Sequence, residues 1–264
     1  MPSSAAVDNP WFRRFNPSDS APARVVIFPH AGGSASYYLD HANALAPHAD
    51  VLTVQYPGRQ NRYAEPTIDS VPELAEQAYR ELREWSDRPL TLFGHSMGAA
   101  VAFEVARCFA RDGLAGPERL FVSAGRAPSL PRDSEIHRLS DDGMLREIVR
   151  LGGTDERILT IPALRELILP ALRADYTAIE TYRAAPDAVV PQPIIGLVGE
   201  SDGNATVDQV AQWERHTTGG FDLRVFPGGH FYVADQVEAV VRLVADHLGG
   251  ETPVRPLSTV RPLD

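Results

Sequence analysis

Residues Leu90–Ala110 read LTLFGHSMGAAVAFEVARCFA. Four β-prone residues, Leu90 to Phe93, lead into Gly94-His95-Ser96-Met97-Gly98, and a stretch rich in Ala, Val and Phe follows. Gly-x-Ser-x-Gly by itself is a weak signal, because a serine between glycines is often a plain turn. Its context raises its value: a strand-like run stops here and a helix-like run begins. That is the setting of a nucleophile elbow, where a strained backbone raises a serine hydroxyl above a sheet. Strand and helix pass close together there, so the residues two away must be small. Gly94 and Gly98 meet that need, and Ala99 and Ala100 extend the small surface.

Working outward, short apolar runs alternate with helical patterns on both sides. The runs are Arg24 to Pro29, Val51 to Pro57, Leu90 to Phe93, Arg119 to Ala124, Pro193 to Glu200 and Phe221 to Pro227. Near-continuous apolar runs of this kind suit parallel strands covered on both faces. Helices are predicted over Ser36 to Ala46, Val71 to Glu84, Met97 to Asp112, Val207 to Thr217 and Gln236 to Leu248. The alternation indicates an α/β fold with a mostly parallel open sheet flanked by helices. Trp11 to Phe15 is expected to add an edge strand.

The rhythm breaks between residues 126 and 188, where no strand is evident. Leu139 to Leu151 reads as one helix and Ile161 to Tyr182 as one or two more, with breaks at Gly152-Gly153 and Pro162 and a kink or restart at Pro170. So long a helical insertion exceeds a simple crossover. It is read as a helical lid over the strand ends, residues 126–188. Residues 1–125 and 189–250 form the core, and residues 251–264, rich in proline and without periodicity, are expected to be disordered.

With 264 residues and 44% hydrophobic content, the chain suits one large domain with an insertion. A formal charge of −10 argues against nucleic acid and anionic membranes as partners. A single cysteine, Cys108, excludes an internal disulfide and fits a reducing, cytoplasmic setting; it falls mid-helix and reads as core. Met1 to Ser20 lacks the apolar centre of a signal peptide, and no run is long enough to span a membrane.

Serine needs a base to become a nucleophile. Of eight histidines, His30, His41, His48, His95, His137, His216, His230 and His247, one stands apart. His41, His48, His137, His216 and His247 fall on or near helices and read as exposed or capping. His95 lies inside the elbow and should point away from Ser96. His230 follows Phe226-Pro227-Gly228-Gly229, just past the last strand, in a loop whose glycines permit unusual backbone angles. A base in turn needs an acid to hold its tautomer. In the order serine, acid, histidine, the acid should follow the strand at Pro193 to Glu200. Glu200, Asp202 and Asp208 qualify; Glu200 still reads as strand and Asp208 as helix, whereas Asp202 occupies the loop Ser201-Asp202-Gly203-Asn204. The oxyanion formed on attack needs donors. The backbone N–H of Met97 is one, at a helix start. The second is expected from His30-Ala31-Gly32-Gly33-Ser34, with Ala31 N–H preferred.

FPHAGGSASYY (28–38), QYPGRQNR (55–62), GHSMGA (94–99), VGESD (198–202) and FPGGHFYV (226–233) occur in that order. Together they closely resemble the stand-alone type II thioesterases of polyketide and nonribosomal peptide synthesis. The resemblance runs from Trp11 to about Leu248, including LGGTDERIL and ILPALRADYTAIETY within the insertion. It implies the α/β-hydrolase fold and a serine thioesterase with Ser96, His230 and Asp202 as triad. Its substrates would be acyl groups on the phosphopantetheine arm of acyl or peptidyl carrier proteins, removed to clear stalled units or release products. It implies no cofactor. The thiol leaves easily, with an ordinary pKa near ~8.5. In relatives of this kind a proline usually follows the acid; here Gly203 does.

Tyr37, Tyr38, Met97 and apolar residues of the insertion are candidates to line the acyl pocket. Carrier proteins are generally acidic, like this chain, so docking would need a local basic patch. Arg59, Arg62, Arg126 and Arg132 are the candidates. No residue spacing suggests a metal site or a phosphate loop, and a monomer is expected. Two other readings fit the triad: an oxyester esterase or lipase, and a silent hydrolase fold used for binding.

Overall fold

The computed structural model describes residues 9–132, 134–153, 157 and 160–248. The expected disordered tail, residues 251–264, lies outside them. Seven strands form one sheet: β1 (Phe12–Arg13), β2 (Arg24–Phe28), β3 (Asp50–Val54), β4 (Leu90–His95), β5 (Arg119–Ser123), β6 (Ile194–Gly199) and β7 (Phe221–Phe226). Their spatial order is β1-β3-β2-β4-β5-β6-β7. β1 pairs antiparallel with β3, and all the other pairs are parallel. The helices are α1 (Leu39–Leu45), α2 (Val71–Leu82), α3 (Met97–Arg111), α4 (Asp141–Arg150), α5 (Pro162–Thr181), α6 (Val207–Ala211), α7 (Tyr232–Asp235) and α8 (Val237–Ala245).

The strands read as continuous apolar runs because both faces are covered. Along β2, Val26 and Phe28 pack into one layer with α2 and α3, while Val25 and Ile27 face the other layer with α1 and α8. That alternation is the two-residue period of a pleated strand. α3 is apolar around most of its circumference and is buried along nearly its whole length, beneath the sheet centre and α2. α2 is amphipathic, with Ser70 accepting the Glu73 N–H at its start. α6 begins with a reciprocal Thr206–Gln209 capping box.

Between β5 and β6, α4 and α5 build a small apolar cluster of their own from Met144, Leu145, Ile148 and Leu172. Pro170 does not interrupt α5, which runs through from Pro162 to Thr181. The missing N–H removes one helical bond, but Ala171, Leu172, Ala174, Asp175, Ala178 and Ile179 bury the following turns against the body of the protein. Among the described residues no helix is long and apolar enough to cross a membrane.

Candidate active site

β4 ends at His95 and α3 begins at Met97, leaving Ser96 alone in the turn with φ 55° and ψ −114°. A non-glycine residue at positive φ is strained, and the surrounding contacts must hold it there. The Ser96 N–H donates to the Ser123 carbonyl on β5 at 2.7 Å. Gly94 and Gly98 make the turn possible: a Cβ on Gly94 would strike the Gly98 carbonyl, and one on Gly98 would lie 2.6 Å from the Phe28 carbonyl carbon. Strand and helix touch through bare backbone.

Ser96 Oγ lies 3.0 Å from His230 Nε2, and His230 Nδ1 lies 2.9 Å from Asp202 Oδ2. The two loops that supply the histidine and the acid are joined to each other. Ser201 donates to the Gly228 carbonyl through both its N–H, at 3.0 Å, and its hydroxyl, at 2.8 Å. Gly199 passes against the Gly229 carbonyl with no room for a side chain, and Gly228 has φ +117°. Asp202 is buried, and its Oδ1 accepts the N–H groups of Asn204 and Ala205 at 2.7 and 3.0 Å. Two backbone donors therefore orient the carboxylate without help from a following proline; the space beside Gly203 is open. Glu200 and Asp208, the other two acids considered, are exposed. An ionised carboxylate only accepts, which favours the His230 tautomer with its proton on Nδ1 and a bare Nε2 towards the serine.

The two backbone N–H groups expected to serve a developing oxyanion are those of Met97 and Ala31. Met97 opens α3, where N–H groups lack helical partners. In the loop after β2, Gly32 N–H donates to Asp175 and Gly33 N–H to the His30 carbonyl, while Ala31 borders the serine's cavity. Ala31, Ser96 and His230 line one cavity of about 410 Å³, roofed by Leu151 beside α4 and by Tyr176 and Ile179 of α5.

Residues 23–248 match the family described as Thioesterase domain. The chain belongs to the thioesterase domain family. It is 48% identical over 239 residues to thioesterase PikA5 of Streptomyces venezuelae, covering 90% of this chain and 85% of that one. It is also similar to the solved type II thioesterase BorB of the borrelidin biosynthetic cluster, at 41% identity and TM-score 0.81, covering 91% and 97%. A third similarity is to RedJ, a thioesterase from the prodiginine pathway of Streptomyces coelicolor, at 36% identity and TM-score 0.83, covering 89% and 95%. At 14% identity and TM-score 0.70, a lipase-esterase related protein of Clostridium acetobutylicum shares the fold alone, which is that of the α/β-hydrolases. The protein is a thioester hydrolase.

The thioesterase's structure corrects several expectations about individual residues. Tyr38 and Met97 do not line the cavity with their side chains; both are fully buried in the core, and Tyr38 OH bonds His30 Nδ1 at 2.9 Å. Tyr37, half-buried, packs edge-on against His30 and Phe231 rather than lining that cavity. Arg59 and Arg62 are not surface docking residues. Arg59 is buried in an ion pair with Asp175 of α5, and Arg62 pairs with Glu65 while lying over the Trp11 ring. A guanidinium inside the fold requires such partners, and these two have them. His41, His216 and His247 are buried rather than exposed.

His30 and His95 lie near the His230 ring without joining its relay. His95 turns away from Ser96 to bond Ser123 Oγ at 2.9 Å, and Ser123 Oγ meets Tyr232 OH at 2.7 Å. Burial, then the neighbouring charges of His230 and Arg59, push His30 down to about 3. Burial holds His95 well below the ordinary histidine value too, with His230 adding to it. Both rings stay neutral near pH 7, so this pair places no positive charge against the His230 ring. Asp175, which anchors the Ala31 loop, had no signal in the sequence: it lies 116 residues from Arg59, on a helix read only as covering. Among the described residues no group of His, Cys, Asp and Glu side chains is arranged to hold a metal.

Proposed function

We propose that the enzyme hydrolyses acyl thioesters on the phosphopantetheine arm of carrier proteins, through a Ser96–His230–Asp202 triad and an acyl-enzyme. The observation that carries this is the unbroken relay of 3.0 and 2.9 Å contacts, with Ser96 and His230 lining one cavity and Asp202 buried behind them. Ser96 Oγ attacks the thioester carbonyl carbon while its proton passes to His230 Nε2. Asp202 steadies the imidazolium through Nδ1–H. The carbonyl electron pair moves onto oxygen, where the N–H groups of Met97 and Ala31 meet it; each such donor is worth about 3–4 kcal/mol in hydrolases. The C–S bond then breaks, and His230 returns the proton to the departing thiolate. A water next gives its proton to His230 and attacks the acyl-serine carbonyl, releasing the carboxylic acid and restoring Ser96. The chemistry needs only water and no cofactor. The similarity to BorB and RedJ, named for biosynthetic clusters and pathways, supports carrier-bound substrates and a synthase partner. The enzyme acts as a cytoplasmic monomer in this reading.

The test compares hydrolysis of acyl-carrier-protein thioesters, matched acyl-CoAs and simple oxyesters by the wild type and Ser96→Ala. Preference for the carrier thioester and a loss of about 10³-fold or more in Ser96→Ala are expected. Equal preference for oxyesters makes the protein an esterase, and full activity of the alanine variant removes the mechanism.

A further inference from the structure

The cavity above Ser96 is ringed by charge, and its carboxylates are already matched. Glu147 bonds Arg150, Glu135 bonds Arg138, and Glu180 bonds the His137 ring at 2.6 Å and the N–H groups of Ile136 and His137. Two lining guanidiniums remain. Arg126 stands three residues past β5, beside the elbow, and its Nε donates to the Asn204 carbonyl in the loop that carries Asp202. Arg132 lies further along the same segment. Neither makes an ion pair with a carboxylate among the described residues. Glu180 is the acid whose field reaches Arg132, and its oxygens are occupied by His137 and the backbone.

Burial, followed by the repulsion of Arg126, pushes Arg132 down to about 10, which leaves it charged at neutral pH. Two mutually repelling cations in one partly closed cavity are costly unless an anion joins them. A guanidinium fork matches the paired oxygens of a carboxylate or phosphate. The rest of the lining near the serine, Ala31, Ala124, Gly125, Ile179 and Leu151, offers no competing charge.

We propose that Arg126 and Arg132 form an anion-binding subsite of the acyl cavity, which takes a negatively charged group carried by the thioester substrate. That group is a carboxylate at the far end of the acyl chain or the phosphate of the pantetheine arm; the chemistry of recognition is the same. The subsite rests on the thioesterase reading above and names the substrates that reading leaves open.

Two matched substrate pairs separate the sources. Succinyl and butyryl thioesters of N-acetylcysteamine differ in an acyl carboxylate and contain no phosphate. Butyryl thioesters of 4′-phosphopantetheine and of pantetheine differ only in the phosphate. In the wild type, one of the two kcat/KM ratios, charged over neutral, is expected to be about tenfold, the size of one charge-assisted hydrogen bond. Arg132→Met is expected to bring that ratio to about one, and Arg132→Lys to keep part of it. A shift in the first ratio assigns the subsite to the acyl carboxylate, and a shift in the second to the arm phosphate. Wild-type ratios of one or less for both pairs overturn the proposal without any variant, as does a ratio that Arg132→Met leaves unchanged. Ser96→Ala answers separately: activity surviving in that variant undoes the triad while these ratios still report on the arginines.

Discussion

Asp175 on α5 holds Arg59, from the loop after β3, in a buried two-point ion pair, with Nη1–Oδ2 at 2.6 Å and Nη2–Oδ1 at 2.9 Å. The same Oδ2 accepts the Gly32 N–H at 2.7 Å, and Arg59 Nη1 donates to the Gly33 carbonyl at 3.1 Å. One carboxylate thus ties α5 to the loop in which Ala31 lines the cavity.

Asp175→Asn leaves Arg59 buried without its counter-charge. Breaking a buried pair from one side costs about 3–5 kcal/mol, so the denaturant midpoint should fall sharply with the m-value unchanged. The double variant Arg59→Met/Asp175→Leu should regain most of the stability, because it removes both charges. It should not regain kcat, since nothing then fixes the Ala31 loop. A double variant as fast as wild type would separate the clamp from catalysis.

Asp202→Asn keeps an acceptor for the Asn204 and Ala205 N–H groups but offers His230 Nδ1 an amide instead of a carboxylate. The ring loses its enforced tautomer. In serine triads this costs up to about 10⁴ in kcat, and a drop of that order with KM little changed is expected here. Steady-state kinetics on one thioester decide it; a loss under about tenfold would point to another acid.

Gly98→Ala puts a methyl against the Phe28 carbonyl, where backbone rather than a flexible side chain must yield. The cost should exceed the about 1–3 kcal/mol usual for overpacked cores, and the elbow should open enough to lose activity. Gly203→Ala, at a site with open space around its Cα, is the contrasting control. Thermal melts of the two variants should differ by many degrees; similar melts would mean the elbow is looser than its contacts indicate.

His30 should make the fold acid-sensitive. Its ring is held neutral down to about 3, whereas in the unfolded chain it takes a proton below ~6.5. Between those values the unfolded state binds more protons, so stability falls as pH falls, by at most about 1.4 kcal/mol per pH unit from this residue. His41, His95 and His216, each pushed below the ordinary value chiefly by burial, act in the same direction. Unfolding free energies measured from pH 7.5 to 5 should decline in the wild type and decline less steeply in His30→Gln. Parallel slopes would show that His30 is protonated in the folded protein.

Local pattern made the elbow serine legible. The signals that mark Ser96 are its own neighbours, a strand before it, a helix after it and glycines two away, although the contacts that hold the turn, to Ser123 and Phe28, come from distant strands. His230 and Asp202 were legible from a rule of order combined with loop residues that cannot be strand or helix. The pocket residues were not. Tyr38 and Tyr37 are adjacent in sequence, yet one is sealed in the core and the other half-buried, and no periodicity in a short turn distinguishes them. Arg59 read as a surface cation because its partner Asp175 lies far along the chain, and Arg62 because the Trp11 ring that covers it does, although its carboxylate partner Glu65 is close by.

By itself the sequence determined the alternating strands and helices, the elbow and the three residues of the relay, since hydrophobic period and glycine placement act over a few residues. Tertiary structure decided which charges are sealed inside, which side chains face the cavity and how α5 grips the loop after β2. Those outcomes depend on segments far apart in the chain, such as Arg59 and Asp175, meeting in space. Burial and pairing there are properties of the contact, and neither segment carries them alone.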